Sequence, residues 1–211
     1  LIGSLCFYQC DSLASIDVEP ANQFYISVDH VLYNKNESIL ITFPPSKNVV
    51  NYSVQSSVTE ILSYAVSYSK YLKNVFLPFG VKKIGQSAFR YSSLNHINIP
   101  NSTTKFGSSV FYSSKLIDIL IPNNIETIPD DAFCHCTSLI NVTLLEGISA
   151  IESRSFYSCT KLPSIVIPES VTVIGPSAFS SCTSLTSLTI SIGVTTIESY
   201  AFSSCQSLPT V

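Results

Sequence analysis

Four cysteines, Cys136, Cys159, Cys182 and Cys205, follow one another at 23-residue intervals, and Cys10 shares their local setting, three residues after a phenylalanine. Regularly spaced thiols can form disulfides, bind a metal or act as nucleophiles. A metal needs several ligands converging on one point, and Cys134-His135-Cys136 is the one place where such residue types crowd; neighbours along a turn diverge. Serine takes the cysteine's place at Ser69 and Ser92, so the slot asks for a small side chain facing a narrow interior. The expected role is therefore a structural ladder of Cys10, Cys136, Cys159, Cys182 and Cys205. Stacked rungs would bring Cα atoms to ~5 Å, within disulfide range, which leaves pairing open. With seven cysteines in all, at least one stays unpaired within this chain, and Cys6 and Cys134 fall outside the column. Catalysis has no visible constellation. His30, His96 and His135 occupy different places in the pattern, and Asp130-Asp131 reads as an acid at a helix start. No catalytic residue, cofactor-binding residue, cofactor or metal ligand is expected, and no enzymatic role.

The elements that place the thiols repeat. Phe89, Phe111, Phe133, Phe156, Phe179 and Phe202 are anchors, preceded by Val66 in the same role, at spacings of 22 or 23 residues. Each anchor is followed by a leucine and then by a run such as LKNVFLP (72–78), LNHINIP (94–100), LIDILIP (116–122) or LPSIVIP (162–168). Apolar residues alternate there, which is the period of a strand with one buried face, and proline ends it. A second apolar pair follows (Val81/Ile84, Ile125/Ile128, Ile148/Ile151, Val171/Ile174, Val194/Ile197), and then the next anchor. Ser or Asp stands three residues before most anchors (Ser4, Ser63, Ser108, Asp130, Ser153, Ser199), which predicts N-capped helical or 3₁₀ turns. Glycine one step earlier (Gly3, Gly85, Gly107, Gly175) favours a tight bend, but Leu62, Glu152 and Glu198 in the same slot show that a left-handed backbone is not obligatory there.

A unit of this length cannot bury its apolar side alone, so units must stack strand on strand. The predicted fold is a right-handed solenoid, β-rich with short helical turns and a parallel strand ladder, of about eight coils in one domain, 1–211. The first anchor is Phe7, with a strand from Leu13. The next strand, Val49 to Val54, comes about 13 residues late, and the span 20–48 is read as an interruption in which HVLYN and SILITF form a β-hairpin projecting from the stack. Both ends fall inside a unit, so the intact protein is expected to be longer.

Composition narrows the partners. Only 12% of residues are charged, about half the ~25% usual for soluble proteins, while Ser and Thr supply about a quarter of the chain. A net charge of −3 and scattered Lys and Arg argue against nucleic acid. No apolar run is long enough for membrane insertion.

The consensus L-x-x-I-x-I-P-x-x-V-x-x-I-G-x-x-A-F-x-x-C-x-x-L resembles the 23-residue leucine-rich repeat of treponemal and BspA-type surface proteins, and VLYNKNESILITFPP (31–45) is similar to an irregular segment common in that family. The resemblance implies a cell-surface or secreted recognition module that binds host or partner proteins, or glycans. An intracellular interaction scaffold and a structural spacer are the alternatives. The outward positions of the strands are the candidate partner-binding residues: Asn74, Phe76, His96, Asn98, Asp118, Leu120, Asn141 and Thr143, continued by Ser164/Val166 and Ser187/Thr189. Sequons occur at Asn36, Asn51, Asn101 and Asn141; Asn36 and Asn101 are the possible glycosylation sites, and Asn141, within a strand, is less suited.

Overall fold

The computed structural model describes residues 2, 3 and 5–209, so Ser4 and Val211 lie outside the described residues. The chain is a β-solenoid of about seven turns built on parallel ladders. The first ladder contains β4 (Asn51–Ser53), β6 (Asn74–Phe76), β8 (His96–Asn98), β10 (Asp118–Ile121), β12 (Asn141–Leu144), β14 (Ser164–Val166) and β16 (Ser187–Thr189), hydrogen-bonded in three groups, β4-β6-β8, β10-β12 and β14-β16, that follow one another along the stack. The second contains two-residue strands over the second apolar pair of each unit: β5 (Glu60–Ile61), β7 (Lys83–Ile84), β9 (Lys105–Phe106), β11 (Thr127–Ile128), β13 (Ala150–Ile151), β15 (Val173–Ile174) and β17 (Thr196–Ile197). Equivalent residues pair one coil apart, as in Val75↔Ile97 and Ile151↔Ile174.

The anchors form the core. Phe89, Phe111, Phe133, Phe156 and Phe179 are fully buried, and with Phe202 their rings stack at 5.0–5.3 Å between centroids with interplanar angles of 14° or less. Leu72, Leu94, Leu116, Leu139, Leu162 and Leu185 make a parallel buried row.

No helix forms among the described residues; the segment around each anchor is a run of turns. Its hydrogen bonds alternate in direction. Ala88, Arg90 and Ser92 donate their N–H groups within the coil, to Gly85, Ser87 and Phe89, whereas Ser87, Phe89 and Tyr91 donate to the carbonyls of Ser108, Val110 and Tyr112 in the next coil. The same scheme recurs from Val66 to Phe179 and makes a third ladder. The predicted caps are unused: Ser63, Ser108, Asp130, Ser153 and Ser199 make no side-chain hydrogen bond among the described residues. Left-handed backbone falls two residues before and two after each anchor from Val66 to Phe202, for example at Ser87 (φ 54°) and Tyr91 (φ 54°). These are third positions of turns that require positive φ, at a cost of about 1 kcal/mol for a residue with a Cβ. The glycines are needed for another reason: a Cβ on Gly107 would lie 2.2 Å from the backbone nitrogen of Gln86 in the preceding coil.

The interruption differs from its expected form. β1 (Tyr25–Val28), β2 (Val31–Asn34) and β3 (Ile39–Thr42) form an antiparallel meander, and β3 continues as a parallel partner of β5. The hairpin is thus the first rung of the second ladder and does not project. Phe43, 23 residues before Val66, takes the anchor slot of that rung: its N–H donates to Ala65, as each anchor donates to the next coil, and its side chain is buried. Tyr33 and Tyr52 bury their hydroxyls against each other. Burial pushes Tyr33 up to about 12 and Tyr52 higher still, so both remain neutral. The strand expected from Leu13 does not form, since the chain there bonds only irregularly, Ser46 to Leu13 and Ile16 to His30.

The cysteine column is present with one correction. Cys136, Cys159, Cys182 and Cys205 are buried, whereas Cys10 is exposed, because the Phe7 unit lies at the end of the stack. All seven thiols are free. The column is more than filler: each buried Sγ donates to the carbonyl of the preceding anchor, Cys136 to Phe111, Cys159 to Phe133, Cys182 to Phe156 and Cys205 to Phe179, at 3.0–3.2 Å. The hydroxyls of Ser69 and Ser92, with their shorter side chains, have no partner. Cys159→Ser should therefore leave a buried hydroxyl unsatisfied and lower stability in urea unfolding by about 1–3 kcal/mol, while Ser92→Ala should be neutral or stabilising. Thiol titration of the native protein should label Cys6 and Cys10, and all seven cysteines only after denaturation.

Candidate functional site

The first ladder presents a broad outer face because inward residues (Tyr52, Val75, Ile97, Ile119, Val142, Ile165) are drawn into the core, leaving their neighbours outside. Register then sorts the outward residues into two rows. One row begins Asn51, Asn74, His96 and continues with Asp118, Asn141, Ser164 and Ser187; the other runs Ser53, Phe76, Asn98, then Leu120, Thr143, Val166 and Thr189. All eight candidate binding residues lie on this face.

They differ in what they have free to offer. Asn74 donates its amide to the Asn51 side chain at 2.6 Å, and His96 Nδ1 lies 2.9 Å from Asp118. Asn98 bridges the backbone of Leu77 through both ends of its amide, at 2.9 and 3.0 Å, so it holds two coils together. Phe76, Leu120 and Val166 are 53%, 48% and 63% exposed. Asp118, Leu120, Asn141 and Thr143 line a shallow cleft of about 370 Å³ together with Ile119 and Ile140. Ile140 and Val50, half-exposed just before β12 and β4, extend the apolar part of the face. Sequence reading passed over them, although Ile140 directly follows the inward Leu139 and so must turn outward.

Other chemistry-bearing residues are dispersed. Cys134 is buried beside Asp131, Cys136 belongs to the thiol column, and His135 packs between Tyr112 and Tyr157. Burial pushes both thiols up to about 12, which removes the thiolate at neutral pH. No group of three His, Cys, Asp or Glu suited to a metal ion occurs among the described residues. Asn36 is exposed at the β2–β3 turn, its carbonyl accepting from Ser38, and Asn101 is exposed after β8. No helix among the described residues is long and apolar enough to cross a membrane.

The repeat and its geometry are shared with known proteins. The chain is similar to a leucine-rich repeat protein from Eubacterium ventriosum, at 29% identity and TM-score 0.87, over 93% of this chain and 54% of that one. It is also similar to a leucine rich cell surface protein from Faecalibacterium prausnitzii, at 29% identity and TM-score 0.63, over 87% of this chain and 43% of that one. A leucine-rich repeat protein from Treponema pallidum matches at 25% identity and TM-score 0.73, over 90% of each chain. The chain thus spans about half the length of the first two. No curated protein matches it. The BspA type leucine rich repeat region, in six copies, matches residues 1–117 and 104–211. With its coils, phenylalanine stack and thiol column all built on that repeat, the chain belongs to the BspA-type leucine-rich-repeat family.

Proposed function

We propose that the chain is a recognition module of a cell surface, binding a host or partner protein through the outer face of its first ladder. The observation that carries this reading is the exposed apolar set Phe76, Leu120 and Val166, embedded in amide and hydroxyl side chains on a rigid sheet. Apolar anchors within a polar surround are how protein interfaces combine desolvation with specificity. Because hydrogen bonds between coils fix the sheet in advance, binding would order little backbone, and modest contacts suffice for useful affinity. The surface setting is supported by the family and by the F. prausnitzii relative, which is described as a cell surface protein. Glycans remain a second ligand class for the same face, favoured by its amide-rich row.

The test is binding of the purified chain to immobilised extracellular-matrix proteins, cell-surface proteins and a glycan panel, with Phe76→Ala and Leu120→Ser variants. Both side chains are about half-exposed, so the folded state should survive each change. Each substitution should weaken binding about tenfold, equivalent to ~1.4 kcal/mol. Unchanged affinity in both variants would remove this face from the reading.

A further inference from the structure

The turn face, well away from the strands of the first ladder in sequence, carries a row of six aromatic rings, one from the Phe7 unit and one from each of the five successive coils anchored by Val66 to Phe156, the Phe43 coil contributing none. Tyr8, Tyr68, Tyr91, Tyr112, His135 and Tyr157 all stand one or two residues after the anchor position, and consecutive ring centroids are 5.7, 5.1, 5.6, 5.6 and 5.4 Å apart. The fold does not require them: serine fills the same slots at Ser158, Ser180, Ser181, Ser203 and Ser204. Nor is the backbone favourable for them. Tyr68, Tyr91 and His135 sit at φ 59°, 54° and 60°, where a bulky residue is disfavoured and Asn or Gly is easier to accommodate. The rings are partly or substantially exposed, with Tyr91 at 41%.

A cation lies within this row. The chain has two arginines, and Arg154 is paired with Asp131 at 2.9 Å. Arg90 forms no ion pair among the described residues. Its guanidinium is instead held over Tyr112 at 4.0 Å and near Tyr91 at 4.8 Å from the ring centroids. One Nη2 donor of Arg90 reaches the Tyr91 hydroxyl at 3.4 Å, and the remaining N–H donors match a carboxylate or sulfate.

We propose that this ladder is a second binding site, independent of the sheet-face reading, and that it takes an acidic glycan chain lying along the row with about one sugar per ring. The spacing favours a glycan over a peptide. An extended polypeptide repeats a given face every ~6.6–6.8 Å, and a polyproline helix every ~9.3 Å. The rings recur at 5.1–5.7 Å, close to the length of one pyranose in a linear chain. The flat C–H faces of sugars pack on aromatic rings, tyrosine hydroxyls hydrogen-bond to their hydroxyls, and Arg90 supplies the preference for an acid group.

Calorimetric titration of the whole chain with an oligogalacturonate series tests this, with neutral cello-oligosaccharides and poly-glutamate as comparison probes. Serine already fills the ring slots in later coils, so Tyr91→Ser should fold and melt like the parent. Affinity for oligogalacturonate should rise with length up to about six sugars. It should fall at least tenfold in Tyr91→Ser and in Arg90→Gln, and stay unchanged in Phe76→Ala. No binding of oligogalacturonate would overturn the proposal, as would equal affinity for the neutral chains. Tighter binding of poly-glutamate would assign the ladder to an acidic peptide, and loss of binding only in Phe76→Ala would return the glycan to the sheet face.

Discussion

Everything in this molecule follows from the distance at which one coil lies on the next. A single unit has a few apolar side chains and no core, so its phenylalanine is buried only when the phenylalanines above and below cover it at 5.0–5.3 Å. That spacing suits hydrogen bonding between adjacent strands. The turn segment meets it by sending alternate N–H groups to the neighbouring coil and closing the others on itself. Backbone satisfaction and side-chain stacking therefore impose the same repeat, which explains why Ser, Tyr, Arg and Asp tolerate left-handed φ at fixed places beside the anchors from Val66 to Phe202.

Where a coil departs from the pattern, the ladders register it. Phe106 occupies a slot that other coils give to isoleucine, and the second ladder is interrupted there, between β9 and β11. Thr104, Lys105, Phe106, Glu126 and Thr127 line a cleft of about 230 Å³ at the break. The ring of Phe106 instead meets Phe111 edge-on at 6.1 Å. In the same coil Thr103 replaces the aliphatic partner and is tolerated in the core because its hydroxyl donates to the Val81 carbonyl at 3.0 Å. The stack thus admits an oversized ring, a threonine bonded to the adjacent coil, and small serines whose buried hydroxyls find no partner, as at Ser69 and Ser92.

The same translation that builds the core also arrays the surface. A side chain repeated once per coil becomes a row, whether of amides and exposed aliphatics on the sheet face or of tyrosines on the turn face. Low charge follows from this geometry. Like charges stacked at coil spacing repel one another, and the exposed rows are mostly amides, hydroxyls and rings; Lys83 is flanked by Glu60, with which it pairs, and by the like-charged Lys105 on the other side.

The sequence by itself determined the stacking, because units that bury Phe, Leu and Ile at a fixed period cover one another only when stacked; from Val66 onward the anchors, the two strand positions and the outward residues were legible from spacing. It also marked the thiol column, yet left undecided what the thiols do. Only the tertiary structure decided that their protons go to anchor carbonyls, that Cys10 faces solvent, and that Phe43 serves as an anchor. It also decided that β3 joins the ladder and that tyrosines from two different positions in the repeat align as one row. The physical reason is common to these cases: each depends on which backbone group of the neighbouring coil lies opposite, and the direction of a side chain across a coil interface is set by the turn between strands. The helix-like spacing of the turn concealed that geometry, since S-x-x-F suits a capped helix as well as a chain of left-handed turns.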